Sequence, residues 1–153
     1  MTISVVAWQP RAIKLLHEFE QCRLTAYPDP GSRDGTPWTI GWGSTGPDIK
    51  RGTVWTQQQA DERFEADLKR FGDSVARLVE GVPTTANQFA AMVCFHYNTG
   101  KLGPSTLLRK HKAGDYAGAK AEFAKWVFND GKRMRGLERR RAAEAELYGR
   151  PDE

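Results

Sequence analysis

The sequence contains no long hydrophobic run. A helix that crosses a bilayer needs about 20 consecutive apolar residues, and no stretch of the 153 residues approaches that length. The start, MTISVVAWQPR, also lacks the charged segment and the long apolar core of a signal peptide. We therefore expect a soluble chain that is kept in the cytoplasm and does not insert stably into a membrane.

Cysteine and histidine are scarce. The two cysteines, Cys22 and Cys94, are too few for a disulfide framework, so we expect two buried free thiols. The three histidines, His17, His96 and His111, share no metal-ligand spacing with one another or with the cysteines. The sequence therefore predicts no metal site.

Composition predicts one soluble domain, because 153 residues with 39% hydrophobic and 27% charged residues can bury their own core. Charge is uneven: residues 1–100 carry 10 Lys and Arg against 11 Asp and Glu, whereas residues 101–153 carry 13 against 8. The basic C-terminal part suits an anionic polymer, either nucleic acid or an acidic cell wall. The cations between Lys132 and Arg141 match no nucleic-acid-binding signature, so we expect no nucleic-acid partner. A solvated helix face remains the alternative to attraction by a wall.

The pattern of apolar residues is mostly helical. Residues 10 to about 22 form a predicted first helix, and the region 24–55, rich in Gly, Pro, Thr and Trp, predicts a small antiparallel sheet. Two capping boxes, Thr56 with Gln59 and Thr85 with Gln88, predict the starts of a long helix and of a core helix. Three more helices are predicted over residues 105–113, 115–129 and 137–148.

Two glutamates in the first helix point in different directions. Residues on a helix lie about 100° apart, which puts Glu20 on the same face as Leu16 and leaves Glu18 on the opposite face. Transfer of an ionised carboxylate into apolar surroundings is costly, so Glu20 is a candidate proton donor near neutral pH. The alternative is that Glu20 lies at the rim of the apolar face and pairs with Arg23 or Arg11.

A second carboxylate and a hydroxyl follow Glu20 along the chain. Asp29 lies in Pro-Asp-Pro-Gly, a composition that predicts a rigid turn. Thr39 begins a run, Thr-Ile-Gly-Trp-Gly, that alternates bulky and small residues as a strand does, and its glycines allow another group to approach closely. An acid, an ionised partner and a hydroxyl are what is needed to cleave a glycosidic bond with a positioned water.

At these positions the sequence resembles the phage-type lysozymes, or endolysins, which are muramidases of bacteriophages. The family pattern is a helix-borne Glu, eight residues, an Asp or Cys, and then a Thr before Ile-Gly-x-Gly; Glu20, Asp29 and Thr39 match it. Near the other end, Asn98-Thr99-Gly100 and the segment from Gly136 to Glu144 resemble a second region of the family. The likeness extends from about residue 13 to residue 148.

The resemblance implies an α+β, lysozyme-like fold within a single catalytic domain, residues 1–153. A small lobe of one helix and an antiparallel sheet (about 1–56) and a helical lobe (81–153) would be joined by a long helix (57–80), with the substrate cleft between the lobes. The implied reaction is hydrolysis of the β-1,4 bond between N-acetylmuramic acid and N-acetylglucosamine in bacterial peptidoglycan, with inversion and without a cofactor.

The resemblance also assigns roles and partners. Glu20 would be the general acid, Asp29 the carboxylate that activates water, and Thr39 a hydrogen-bonding partner of that water. Tyr97, Asn98 and Ser105, which lie close together in sequence around a loop, are candidate sugar contacts. The protein would be a monomer that stays in the host cytoplasm until a holin permeabilises the membrane, and would then lyse the cell.

The chain departs from the family pattern in two places that concern the site. Nine residues separate Asp29 from Thr39, where the family has about five, so residues 31–35 look like an insertion and make Asp34 a rival for the second carboxylate. Ser44 occupies a position where the family often has His. Two alternatives in function stay open: a lytic transglycosylase, which would use Glu20 without a water-activating base, and a non-catalytic wall-binding protein.

Overall fold

The structure, a computed structural model, describes residues 8–30 and 32–151. The first seven residues, on which the expectation of no signal peptide rests, and Gly31 of the predicted insertion lie outside the described residues. The helices are α1 (Trp8–Phe19), α2 (Gln57–Leu78), α3 (Ala86–Thr99), α4 (Thr106–Lys112), α5 (Tyr116–Glu122) and α6 (Arg135–Gly149). The strands are β1 (Arg23–Tyr27), β2 (Thr39–Gly41), β3 (Phe128–Asn129) and β4 (Lys132–Arg133). The predicted α+β class is confirmed.

The predicted helix starts at α2 and α3 are confirmed. Thr56 accepts a hydrogen bond from the amide of Gln59, whose side chain caps the Thr56 amide in return, and Thr85 and Gln88 do the same at α3. Each box satisfies two amides that a helix start otherwise leaves without a partner. No helix among residues 8–30 and 32–151 is long and apolar enough to cross a membrane.

Helix α3 is the centre of the main core. Its residues from Ala86 to Phe95 are all buried, and α1, α2 and α6 pack around it. The buried face of α1, which includes Ala12, Leu15 and Leu16, belongs to this core. A second, smaller core lies under the sheet and consists of Ala26, Ile40 and Ile49, with Trp38 and Trp55 against them.

The register of the sheet places the two N-terminal candidates near each other. β1 and β2 pair antiparallel, with Tyr27 opposite Thr39 and an irregularity between that pair and Arg23. Asp29 follows Tyr27 by two residues, so it lies just past the strand end at which Thr39 begins β2. The Asp29 amide donates to the Gly35 carbonyl at 2.8 Å, which closes the inserted segment into a loop.

Two helix predictions are wrong in their C-terminal boundaries. The first helix ends at Phe19 rather than near residue 22, so Glu20 is the first residue beyond α1, although its amide still donates to the Leu16 carbonyl at 2.7 Å. The helix predicted over residues 115–129 ends at Glu122, and a short 3-10 turn, Phe123–Lys125, follows. The chain then forms a hairpin of β3 and β4 whose turn residues, Asp130 and Gly131, both have positive φ, 52° and 80°.

Candidate active site

The Glu20 carboxylate is held between an arginine and a glycine turn. Its side chain is 14% exposed, and Nη1 of Arg140 donates to Oε2 at 2.5 Å. On the other side, a Cβ atom built on Gly43 would lie 2.5 Å from Oε1 of Glu20, and Gly43 has a φ of 87°. The position therefore requires glycine both for its backbone and for the carboxylate that lies against it.

The ion-pair partner of Glu20 is Arg140, and not Arg23 or Arg11, the two residues that the sequence suggested as alternatives. Arg11 donates to the Asn87 side chain at 2.7 Å, and Arg23 lies over the Tyr27 ring. The cation that binds Glu20 comes from α6, 120 residues away. Periodicity within one helix indicates which face is apolar, but it does not indicate which distant element covers that face.

Tyr27 lies within electrostatic range of both predicted catalytic carboxylates. Burial raises the pKa of the Tyr27 hydroxyl, and the negative charges of Glu20 and Asp29 both raise it further. Both carboxylates are therefore near enough to the same hydroxyl to act on it. The structure thus places Glu20 and Asp29 near the same side chain.

Asp29 and Thr39 each have a contact that the sequence did not indicate. Nδ2 of Asn129, in β3, donates to Oδ1 of Asp29 at 2.8 Å. The Thr39 hydroxyl donates to the Pro37 carbonyl at 3.3 Å, which is long for a hydroxyl donor. Both side chains are partly exposed, so solvent reaches them.

The rival carboxylate, Asp34, is engaged within its own loop. Oδ1 accepts hydrogen bonds from the Ser32 hydroxyl at 2.8 Å and from the Thr36 hydroxyl at 2.6 Å and amide at 3.0 Å. The bonds from Thr36, and then that from Ser32, lower the pKa of Asp34 to about 2. Asp34 is thus an ionised acceptor that stabilises the inserted loop, and these contacts favour Asp29 as the second carboxylate.

The β3–β4 hairpin, which sequence reasoning missed, contacts this part of the chain twice. Besides the bond from Asn129 to Asp29, the amide of Arg33 donates to Oδ2 of Asp130 at 2.9 Å. The dipeptide Asp130-Gly131 was the available signal, since Asp-Gly is a favoured turn of two-residue hairpins.

The three predicted sugar contacts differ in their exposure to solvent: two are buried and one is exposed. Tyr97 is buried, and its hydroxyl donates to the Trp42 carbonyl at 2.7 Å. Ser105 is buried as well; its hydroxyl donates to the Leu102 carbonyl at 2.7 Å and, as the N-cap of α4, accepts from the Leu108 amide.

Asn98 is the exposed member of that set. Its Oδ1 accepts a hydrogen bond from Nη2 of Arg141, which connects it to a buried group of charges. Asn98 therefore lies where a ligand can reach it, whereas the hydroxyls of Tyr97 and Ser105 are bonded within the protein.

The buried charges of α6 are the functional candidates that the sequence concealed. Arg140, Arg141 and Glu144 have side chains that are 5%, 1% and 0% exposed. Glu144 lies 3.2 Å from Nε of Arg140 and 3.2 Å from Nη1 of Arg141. The interpretation of this basic segment as a solvated face is therefore wrong for Arg140 and Arg141. The spacing of Glu144 at three and four residues from them was the available signal.

Ser44 replaces the family's frequent His without leaving its acidic neighbour unbonded. The Ser44 hydroxyl donates to Oδ2 of Asp67 at 2.7 Å, and both side chains are buried. Asp67 also accepts from Arg63 at 3.2 Å and from Arg70 at 3.1 Å. The Asp67 carboxylate therefore accepts one hydrogen bond from an uncharged hydroxyl and forms two ion pairs.

Comparison with known proteins identifies the family of the chain. A model of the phage lysozyme family matches residues 17–144. An endolysin of Acyrthosiphon pisum secondary endosymbiont phage 1 is 36% identical over 144 residues, which cover 90% of this chain and 94% of that protein. An endolysin of Bacillus phage B103 is 36% identical over 138 residues, which cover 89% of this chain and 51% of that protein. Among solved structures, the muramidase domain of SpmX from Asticaccaulis excentricus has a TM-score of 0.78 at 31% identity, and the match covers 94% of this chain and 98% of that one.

The relatives differ in length from this chain. It matches nearly the whole of the endosymbiont phage endolysin, but it spans about half the length of the Bacillus phage relatives. The family model begins three residues before Glu20 and ends at Glu144, so its match includes the segment that carries the site described above.

Proposed function

Because the chain belongs to the phage lysozyme family, we propose that it is an endolysin that hydrolyses the β-1,4 bond between N-acetylmuramic acid and N-acetylglucosamine in peptidoglycan. The observation that carries the proposal is that Glu20 and Asp29 both lie near Tyr27, with Thr39 at the adjoining strand end. Two carboxyl groups that flank the scissile bond are the usual equipment for glycoside hydrolysis.

Glu20 is the general acid in this proposal. Its side chain is mostly shielded from solvent, and its position is set by Arg140 on one side and by the Gly43 backbone on the other. A fixed carboxyl group that donates its proton to the leaving oxygen contributes roughly 10²–10⁴-fold to the rate. The fixed position also spares the enzyme the cost of orienting the acid at each turnover.

Asp29 is the base, and Thr39 helps to hold the water that it activates. Asp29 is partly exposed and accepts from Asn129, so it is oriented and remains open to water. This arrangement supports inversion, for which the two carboxyl groups should stand roughly 6.5–9.5 Å apart, whereas a covalent mechanism needs roughly 5–5.5 Å.

The substrate would bind between the two parts of a single catalytic domain: the segment of about 1–56 with its sheet, and the helical part from 81 to 153, joined by α2. Asn98 is the sugar contact that its exposure supports. Tyr97 and Ser105 would support the site from within, since both hydroxyls have internal partners.

The biological setting is proposed by analogy with phage endolysins. The proposed enzyme accumulates in the host as a monomer and reaches peptidoglycan after a holin permeabilises the membrane. Expression without a holin should leave cells intact until the membrane is disrupted. Prompt lysis of such cells would contradict the proposed dependence.

Paired variants test the two carboxylates in a turbidity assay on purified cell wall. Glu20→Gln should lose about 100-fold or more of the activity while its unfolding temperature stays close to that of the parent, because glutamine cannot donate the proton. Glu18→Gln is the matched control, since Glu18 is exposed and only two residues away, and it should remain active.

A second pair concerns the base. Asp29→Asn should be inactive, and Asp34→Asn should remain active because Asp34 is occupied within its loop. The reverse pattern would assign the base to the inserted loop. Equal clearing by Glu20→Gln and the parent, or clearing by neither, would favour a non-catalytic wall-binding protein.

Product analysis separates the mechanisms. An α-anomer as the first product supports water activation by Asp29, and a β-anomer supports a covalent intermediate. A 1,6-anhydro sugar would identify a lytic transglycosylase, in which the muramic acid 6-hydroxyl replaces water as the nucleophile.

A further inference from the structure

A cluster of four charges extends from the site into the core. Glu20 binds Arg140 at 2.5 Å, Arg140 binds Glu144 at 3.2 Å, and Glu144 lies 3.2 Å from Arg141. The three members on α6 are each at least nine-tenths buried. The cluster is balanced, with two carboxyl groups and two guanidinium groups.

Several buried polar atoms of this cluster have no hydrogen-bond partner. In the described part of the chain, four buried side-chain atoms lack a hydrogen-bond partner: Nη2 of Arg140, Nε and Nη1 of Arg141, and Oε1 of Glu144. The last two atoms face each other in the 3.2 Å ion pair without forming a hydrogen bond. All four belong to this cluster. Buried ion pairs of this kind are often no more stabilising than apolar side chains of similar volume, and unbonded polar atoms add a further cost. A role in the reaction would explain why the charges are present.

We propose that Glu144 is a positioning residue for the reaction: it is a buried counter-ion that shares the charge of Arg140 and so limits how strongly Arg140 holds the Glu20 carboxyl group in its ionised form. This inference rests on the proposed role of Glu20 as the general acid. Glu144 touches no reacting atom and acts only through Arg140.

The need for such a residue follows from the chemistry. A general acid must carry a proton at the working pH, but a guanidinium group 2.5 Å away favours the ionised carboxylate. A second carboxylate on the same guanidinium group weakens that preference. It also repels negative charge on Glu20, because the two carboxylates interact unfavourably with each other.

Glu20 faces charged or titratable groups from three elements: Tyr27 on β1, Cys94 and Tyr97 on α3, and Arg140, Arg141 and Glu144 on α6. Burial raises the pKa values of Tyr27, Cys94 and Tyr97. Near neutral pH those three groups are therefore uncharged, so the charged members of this set are those on α6.

Burial raises the pKa of Glu144 as well, and the guanidinium groups of Arg141 and Arg140 oppose that rise. The effect of the Glu144 carboxyl group on the ionisation of Glu20 can therefore be measured in the folded enzyme. Two readouts report it: the pH dependence of kcat/KM, and the titration of the Glu20 carboxyl carbon followed by NMR.

The test compares Glu144→Gln with Glu146→Gln. Glu146 lies on the same helix, is 74% exposed and pairs with Arg150 at the surface, so it is the matched control. Glu144→Gln should move the alkaline limb of the pH–rate profile, and the titration of the Glu20 carbon, to lower pH by about one unit, since it removes one charge from the cluster. Glu146→Gln should leave both where they are in the parent enzyme.

The outcomes separate this inference from the proposed function. If both readouts move together, both are supported. If the NMR titration moves but the kinetic limb does not, Glu144 acts on Glu20 as proposed and Glu20 is not the general acid. If the NMR titration does not move in folded Glu144→Gln, the inference is overturned, whatever the activity.

Glu144→Asp covers the case in which the glutamine variant does not fold. It keeps the charge but withdraws it by one methylene from Arg140, so its NMR titration should move in the same direction by a smaller amount. An unmoved titration in folded Glu144→Asp, together with an unfolded Glu144→Gln, would assign Glu144 a purely structural role and overturn the inference.

Discussion

Asn129 donates its side-chain amide to the Asp29 carboxylate, with 2.8 Å between Nδ2 and Oδ1, although the two residues are 100 positions apart. The contact joins the β3–β4 hairpin to the turn after β1. A second bond, from the Arg33 amide to Asp130, supports the same approach. The orientation of the proposed base therefore depends on a hairpin near the C-terminal end of the chain.

Asn129→Ala should lower kcat by about tenfold with little change in KM. A hydrogen bond to a charged group contributes about 1.5–3 kcal/mol, and Asp29 would lose one of the contacts that orient it. Steady-state kinetics on a soluble peptidoglycan fragment measure the effect. Lys132→Gln, an exposed change on the same hairpin, should keep kcat within about twofold of the parent enzyme. An unchanged kcat in Asn129→Ala would mean that the contact does not orient Asp29 for catalysis.

A side chain at position 43 should lower the activity, and the same change at Gly52 is the control. Both have left-handed backbones, with φ of 87° and 91°, so alanine costs about 1–2 kcal/mol of backbone strain at either position. A Cβ atom at Gly43 would also lie 2.5 Å from Glu20, whereas nothing lies within 4 Å of one at Gly52. Gly43→Ala should therefore lose tenfold or more of the activity, and Gly52→Ala should lose stability only.

Activity and thermal unfolding of the two alanine variants distinguish these effects. Equal stability losses with activity lost at Gly43 alone are the expected result. Full activity in Gly43→Ala would show that the Glu20 carboxylate can move away from the turn without consequence for the reaction.

Ser44→Ala should destabilise the protein by about 1–3 kcal/mol while leaving kcat unchanged. The Ser44 hydroxyl is a partner of the buried Asp67 carboxylate, and its removal leaves that carboxylate with fewer hydrogen bonds. Urea unfolding near neutral pH measures the loss. Thr45→Ala is the neighbouring control: the Thr45 side chain is exposed, and the backbone carbonyl that accepts from Arg63 is retained. Equal stability of the two variants would contradict a role for the Ser44–Asp67 bond.

The parts of the fold that were predictable from the sequence are those set by local signals. The capping boxes at Thr56 and Thr85 depend on residues three positions apart, and both form as predicted. The close approach at Gly43 was likewise indicated by a short motif. Each capping box has both of its partners in one stretch of chain, and the Gly43 motif sets the local backbone that permits a close approach, although the group that approaches, Glu20, lies elsewhere.

What the sequence did not reveal depends on contacts between distant segments. The apolar face of α1 is visible in the periodicity, but the arrival of Arg140 beside Glu20 depends on how α6 packs against α3. The β3–β4 hairpin was hidden for a different reason. Residues 115–129 continue a helical pattern, and the local turn preference of Asp130-Gly131 prevails only when the strands can pair.

Stability should fall in mild acid because of His111, which is fully buried between three elements of the helical part. Its Nδ1 lies 2.6 Å from the Tyr148 hydroxyl on α6, and its Nε2 lies 2.9 Å from the Thr84 hydroxyl before α3. Burial lowers the pKa of His111 to about 4. In the unfolded chain its pKa returns to about 6.5, so the unfolded state takes up a proton that the folded state does not.

The sign of the effect follows from that difference. His111 is neutral in both states above about pH 6.5, and the stability it contributes is fully present there. As the pH falls from about 6.5 to about 4, protonation of the unfolded chain lowers the free energy of unfolding by at most about 3 kcal/mol.

His111→Gln, which keeps a polar side chain but does not titrate, should remove this part of the pH dependence while lowering stability near pH 7. His17→Gln, a change at an exposed histidine, should keep the full dependence. Urea unfolding at about pH 7.5 and about pH 4.5 gives the comparison, and an equal loss of stability in the His111→Gln variant and the parent would show that His111 is not the group responsible.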